Sequence, residues 1–424
     1  MKPWNKIIER IAKELHTGKL KPSDLDQELI QKTYDTLNKG VSEGYGAKYH
    51  QYNAQNSATV QRIQQNIYQF SAAKTYQQLA EYNGYLVDEN GKERSFNDFK
   101  KLVLEKHPKY NKNYLQAEYQ TAKASGQMAA KWEGFQRNKA RYPYLKYMTV
   151  GDEHVRDDHK ELHGFIAHID DAIWDRIYPP NDWRCRCYVV QTNQEPTGEA
   201  PDLSFMKPEF SVNVGKTGTV FNEQAHPYFI IPKKDKERMK LAFESMKLRL
   251  AYGKAKYTAN NGAKVYVHPF ADPSDLIGNY RAAVKIANKG ISSKLRPHSN
   301  IKGDKNPEFY IAKVKGDRVA PISTNLKRAI SNAFDSKFGK KKGVSGQLRD
   351  LKDTFVIIDL SFYELTNKKI GDVTSQSWQR FNHYNNLNYL IFIYKDNVVK
   401  VNRSVLKKGY DAYAKEIFKI RKGD

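Results

Sequence analysis

Two cysteines and a group of histidines are the residues of this 424-residue chain best suited to metal chemistry. Cys185 and Cys187 stand two positions apart, and His154, His159 and His163 precede them. Thiolate and imidazole are zinc ligands, so His159, Cys185 and Cys187 are the candidate metal ligands, with a structural zinc as the candidate cofactor. His163 or Asp152 could complete the set. The C-x-C spacing is tighter than the usual zinc pattern, and with two Cys in the chain any site needs histidine. The competing view packs both thiols as small hydrophobes while the histidines hydrogen-bond locally. A Cys185–Cys187 disulfide would be strained. Around them, Arg156, Arg184 and Arg186 have Asp152, Asp157, Asp170 and Asp171 as partners for a structural ion-pair network. Gly215-Lys216-Thr217 is not a phosphate loop, because Phe210 stands where that loop needs its first glycine.

The elements that hold these groups come from a chain that is polar yet built to fold. Mean hydropathy is −0.77, but aromatic residues make up 12%, too many for a disordered chain. No apolar run approaches the roughly 18 residues of a membrane span. Two Cys exclude a disulfide framework and fit a reducing compartment. Net charge is +24 and unevenly placed: residues 261–424 carry 31 Lys+Arg against 15 Asp+Glu, a net +16. A polyanion partner is expected there, a solvated basic surface being the plain alternative.

Apolar spacing predicts helices through Ile7, Ile8, Ile11 and Leu15; through Val60, Ile63, Ile67 and Phe70; and through Leu115, Tyr119, Ala122 and Trp132. Ser23 and Ser95 are expected N-caps. Residues 1–141 thus form a helix-rich module and 142–200 a small Cys/His-containing α/β segment. Residues 201–262 read as linker plus a small segment, β-like over Phe210 to Ile231, with a hinge at Asn260-Asn261-Gly262. Residues 263–424 read as a basic α+β domain with Phe355 to Leu360 as central strand. There Lys315-Gly316-Asp317 is expected to turn a hairpin, Ser323 to cap a helix, and Lys395-Asp396-Asn397 to join the last two strands. The fold class is multidomain α+β.

The stretch Thr149-Val150-Gly151-Asp152, Val155-Arg156, His159, Leu162 and Gly164, followed by Pro179-Pro180-Asn181 and Cys185-Arg186-Cys187, resembles the phage head morphogenesis family typified by the F protein of phage Mu. The family's Gly after Pro-Pro-Asn is Asp182 here. Asn66 to Lys74, Gln127 to Trp132, and Phe210 through Gly218 to Tyr228 are similar to versions in Bacteroidota prophages. The resemblance covers about residues 20–235. It implies a structural role in the virion or procapsid interior, beside portal, scaffold or major capsid protein, with no membrane partner.

Residues 275–362 resemble the nuclease toxins at the C-termini of contact-dependent inhibition proteins, which are similar to the barnase–EndoU–colicin–RelE-like nucleases. The resemblance rests on Ala287 to Gly290, Pro297-His298, Lys305 to Ile311, Gln347, and Val356 to Leu360. It implies a tRNA-cleaving toxin, acting in the bacterial host cytoplasm and restrained by an immunity protein. Metal-independent RNA cleavage needs an acid, a base and cations for the phosphate. His298, Glu308 and Arg349 are the candidate catalytic residues; Lys302, Lys305, Arg328 and Gln347 are the candidate nucleic-acid contacts. In the rival chemistry Glu308 is the first acid of a metal-dependent PD-(D/E)xK site. The strand after it lacks the second acid, unless Asp317 or Asp359 supplies one.

The expected function is therefore a phage minor head protein carrying a ribonuclease-like effector domain. The alternative is a purely structural capsid protein whose basic domain binds packaged DNA without cutting it.

Overall fold

Helical periodicity in the first 140 residues builds five long helices: α1 (Lys2–His16), α2 (Gln27–Tyr45), α3 (Ser57–Gly84), α4 (Phe96–Lys106) and α5 (Leu115–Asn138). The structure is a computed structural model and describes residues 2–51, 56–341 and 344–421. It divides into two units, residues 1–246 and 247–424. In the first, Ile7, Ile8, Ile11, Leu15, Val60, Ile63, Ile67 and Phe70 are all buried, as their spacing requires. Ser95 caps α4, its side chain accepting the Asp98 N–H at 3.3 Å. Helix α2 starts later than expected. Asp24 accepts the Lys21 N–H and closes its own short 3₁₀ turn, and Asp26, not Ser23, caps the helix by accepting the Leu29 N–H at 2.8 Å.

Helices α2 and α5 approach so closely that only hydrogen fits between them. A Cβ on Gly126 would lie 2.4 Å from the Val41 carbonyl oxygen, and one on Gly44 would lie 1.9 Å from that of Lys123. A three-stranded antiparallel sheet follows, ordered β2 (Ile166–His168), β1 (Tyr144–Met148), β3 (Tyr188–Thr192), with short helices α6 (Asp157–Glu161) and α7 (Trp174–Ile177) in its connections. Beyond it, residues 208–231 form 3₁₀ turns and the short helix α8 (Val214–Thr217), with no strand. The β-like reading fails here because the backbone is held by a side chain. Asn66 accepts the N–H groups of Val220 and Phe221 and donates to the Phe221 carbonyl, while Phe221 stacks on Phe70 at 3.7 Å between centroids. Helix α9 (Lys233–Leu248) closes this part of the chain, and no helix among the described residues is long and apolar enough to cross a membrane.

The second unit is one eight-stranded mixed sheet, ordered β13-β12-β11-β8-β7-β6-β5-β4. In chain order its elements are β4 (Tyr257–Thr258), β5 (Lys264–Val267), α10 (Leu276–Asn288), β6 (Ser293–Leu295), β7 (Phe309–Ile311), β8 (Val314–Val319), α11 (Leu326–Phe338), the two-residue pair β9 (Lys340–Lys341) and β10 (Val344–Ser345), β11 (Thr354–Asp359), α12 (Asn367–His383), β12 (Leu387–Tyr394), β13 (Asn397–Asn402), α13 (Arg403–Leu406) and α14 (Tyr410–Phe418). Strands β8, β11 and β12 run parallel, and β11 buries Val356, Ile357 and Ile358 at the centre, as a strand covered on both faces must. The chain is multidomain α+β.

Three local expectations give way. Ala312 and Lys313, at φ 46° and 67°, turn the β7–β8 hairpin, so Lys315-Gly316-Asp317 lies inside strand β8. Asn325, not Ser323, caps α11 by accepting the Arg328 N–H at 3.0 Å. Asn260 to Gly262 close the β4–β5 hairpin rather than forming a hinge: Ala259 N–H donates to the Ala263 carbonyl, and Gly262 takes φ 85°.

Candidate functional site

In the first unit the two sequence blocks converge. Helix α6 carries His159, and the turn before β3 carries both cysteines. His159 Nδ1 lies 3.7 Å from Cys185 Sγ and 3.6 Å from Cys187 Sγ, and all three side chains are buried. Arg184, in the left-handed region at φ 59°, turns the chain just ahead of the pair. The Cys187 N–H points at Cys185 Sγ at 3.4 Å. Hydrogen bonds from Cys187 and His159 hold the Cys185 thiol well below its ordinary range, and sharing with Cys185 pushes Cys187 up. These three residues could together hold a metal ion.

The other donors proposed from sequence are engaged elsewhere. Asp152 takes a two-bond grip from Arg186, at 2.5 and 2.7 Å. His163 accepts from the Thr149 N–H and lies 2.8 Å from its hydroxyl. Of the expected ion pairs, Arg186–Asp152 forms. Arg156 instead reaches Asp182 at 3.3 Å, the residue standing where the Mu-type pattern has glycine, while Asp157 pairs with Lys160 and Asp170 with Lys139. The cysteines border a cleft of about 760 Å³ between α5 and the start of β3, lined also by Lys123, Lys131, Arg184 and Arg186.

In the second unit, His298 and Glu308 line one narrow crevice with Asn279, Arg296 and Asn306. His298 is partly exposed; its Nδ1 is 3.7 Å from Asp272 and its Nε2 is 3.4 Å from the Asn306 amide. Glu308 sits deeper. The Asn279 amide donates to its carboxylate at 2.6 Å, and its own N–H points at Asp317 Oδ1 at 3.4 Å. Asp317 is fully buried in β8, and Lys337 from α11 reaches it at 2.6 Å. Burial, then the neighbouring Asp317 charge, push the Glu308 carboxyl up to about 8. Asp317 is raised as well, by burial, against the pull of Lys337. Asn279 Oδ1 is buried with no hydrogen-bond partner in the structure.

Arg349 is not brought to His298. It is exposed, and donates to the Phe338 carbonyl at 3.3 Å at the end of α11. Gln347 lies in the same turn with a buried, unpartnered Oε1, and the Leu348 N–H donates to the Lys337 carbonyl at 2.9 Å. Lys302 is exposed and Lys305 half-buried on the loop after His298, while Arg328 is exposed on the first turn of α11. Sequence reasoning offered Asp317 only as a substitute acid and missed Asn279 and Lys337. Lys337 is flanked by the buried stripe Ile330, Phe334 and Phe338, which was the one available signal.

Residues 31–190 match the family model described as Phage Mu protein F like protein. The chain is 44% identical over 69 residues to the Mu-like prophage FluMu F protein of Haemophilus influenzae, covering 16% of this chain and 17% of that protein. It is 46% identical over 48 residues to the putative capsid assembly protein F of Escherichia phage Mu, covering 11% of each. The chain thus spans less than a fifth of the length of these curated relatives. A solved CdiA-CT/CdiI toxin and immunity complex from Burkholderia pseudomallei aligns with 20% identity and a TM-score of 0.22, covering 30% of this chain and 85% of that one.

Proposed function

We propose that this chain, whose residues 31–190 are a Mu F-like segment, serves in phage head assembly and carries in its second unit a nuclease-like domain that cuts phosphodiester bonds. The head role is supported by the family match and by a relative described as a capsid assembly protein. Its partners would be portal, scaffold or major capsid protein, and its place the virion.

The observation that carries the nuclease reading is the Glu308–Asp317–Lys337 group. Two carboxylates and a lysine are gathered in a strongly basic domain, and one of them, Glu308, borders a crevice together with Asn279, whose buried amide oxygen is unpartnered. Hard oxygen donors of this kind suit a divalent cation such as Mg²⁺. Glu308 and Asp317 would hold it in place of the proton that Glu308 otherwise keeps near neutral pH. A cation there would polarise a phosphodiester and lower the pKa of an attacking water. Lys337, beside Asp317, would offset negative charge building on the phosphate. His298, at the rim, would contact the substrate or its leaving group.

The test is cleavage of tRNA and of duplex DNA by the full chain, with Mg²⁺ and with chelator. Cation-dependent cutting supports the carboxylate centre. Chelator-resistant cutting of RNA alone, lost in His298→Ala, returns the chemistry to the His298-centred ribonuclease. Salt-sensitive DNA binding with no cutting makes the domain a structural tail.

A further inference from the structure

We infer that His159, Cys185 and Cys187 bind one zinc ion through an imidazole and two thiolates, with the fourth coordination position open to the cleft beside α5. Zinc at about 2.05 Å from nitrogen and about 2.3 Å from sulfur, with tetrahedral angles, sets nitrogen–sulfur edges of about 3.6 Å. The observed edges are 3.7 and 3.6 Å.

Packing of neutral thiols does not explain this arrangement. Both sulfurs converge on one nitrogen, Nδ1, and a neutral imidazole nitrogen has a single lone pair for a single S–H donor. A chain from Cys187 through Cys185 to Nδ1 would use one of the two close sulfur–nitrogen approaches and leave the other without a role. One cation satisfies all three atoms, and two thiolates cancel its charge, which suits a buried site. The Cys187 N–H aimed at Cys185 Sγ supplies the donor that a metal-bound sulfur carries in its outer shell. Soft sulfur with imidazole selects zinc over magnesium or calcium.

The fourth ligand is water. Asp152 and His163 are committed to Arg186 and Thr149, and the Tyr147 phenol donates to Asn181 at 2.9 Å. Both cysteines border the cleft, which is the side left for the fourth position. The ion ties α6 to the first residue before β3, joining the two halves of the Mu-type pattern, whose His159 and Cys185 are 26 positions apart in sequence.

The test uses the full chain expressed in zinc-supplemented medium. Elemental analysis should find one zinc per chain, and both thiols should resist a thiol reagent until a strong chelator is added. Cobalt added to the metal-free protein should give a thiolate-to-cobalt charge-transfer band that zinc abolishes. Cys187→Ser should weaken cobalt binding at least tenfold. Because that variant could misfold, the wild-type cobalt titration stands as an independent measurement. A folded wild-type protein without zinc, with both thiols reactive and no cobalt band, would overturn the inference.

Discussion

Lys337 places its ammonium 2.6 Å from a carboxylate oxygen of Asp317, a side chain with no exposed surface. The lysine comes from helix α11 and the aspartate from strand β8, so folding of the second unit brings together two charges that are 20 positions apart. Glu308 adds a second carboxyl beside Asp317, which makes three ionisable groups against one another where one ion pair would satisfy the fold.

This crowding should show in the pH dependence of stability. The Glu308 carboxyl is raised to about 8, so between its unfolded value near 4.3 and pH 8 the folded chain keeps a proton that the unfolded chain has lost. Raising the pH through that window therefore favours unfolding. Glu308→Gln cannot ionise, and is expected to be more stable than wild type by roughly 1–2 kcal/mol at pH 8, with the gap closing near pH 4. Urea unfolding of both proteins across this range checks it; equal slopes would contradict the crowding. A wild-type chain stabilised by Mg²⁺ at pH 8 would show the same repulsion relieved by a cation.

Removing Lys337 has the opposite sign. Lys337→Met leaves Asp317 buried beside Glu308 with no cation, and stability at pH 8 should fall by roughly 3 kcal/mol, the scale for breaking a buried pair. Lowering the pH should recover much of it, because the raised carboxyls then bind protons. Thermal melts at pH 5 and pH 8 measure the difference.

The first unit holds a second buried pair, Lys74 and Glu118, 2.5 Å apart, with the lysine also donating to the Tyr110 carbonyl at 2.9 Å. Burial lowers Lys74 and raises Glu118, each countered by the other's charge. Lys74→Met alone should cost roughly 3–5 kcal/mol, whereas Lys74→Met with Glu118→Leu should recover most of that, since no buried charge is left unpaired. A double-mutant cycle read by denaturant unfolding separates the two results.

The helix contact at Gly126 is steric. Gly126→Ala drives a methyl group against the Val41 carbonyl of α2, where 2.4 Å is available, so α2 and α5 must separate. A loss of about 1–3 kcal/mol is expected, and a neutral substitution would mean the crossing is looser than described.

Much of this fold was legible because helices with regular apolar stripes declare themselves. Ile7, Ile8, Ile11 and Leu15, or Val60, Ile63 and Ile67, allow one buried face only. The hairpin Tyr389 to Val401 was legible for a similar reason: strand β12 is apolar almost throughout, and Lys395-Asp396 makes a short polar break. Illegible parts depend on partners distant in sequence. Ala312-Lys313 turns without Gly or Asn, so Gly316-Asp317 looked like the turn instead, and a fully buried aspartate was read as a loop residue. Nothing local marks Asn66 as the residue that fixes Val220 and Phe221. In the metal group the residue types pointed to the two cysteines and a histidine, but only the fold sets His159 against both sulfurs and shows Thr149 occupying His163.

The most direct test of the account is nucleic-acid cleavage by the full chain, wild type against Asp317→Asn, at equal concentration with and without Mg²⁺. Circular dichroism confirms that both are folded. The expected result is Mg²⁺-dependent cleavage by wild type and a loss of at least a hundredfold in the variant. Cleavage by Asp317→Asn at the wild-type rate, or wild-type cutting that survives chelation, would contradict the Glu308–Asp317–Lys337 centre.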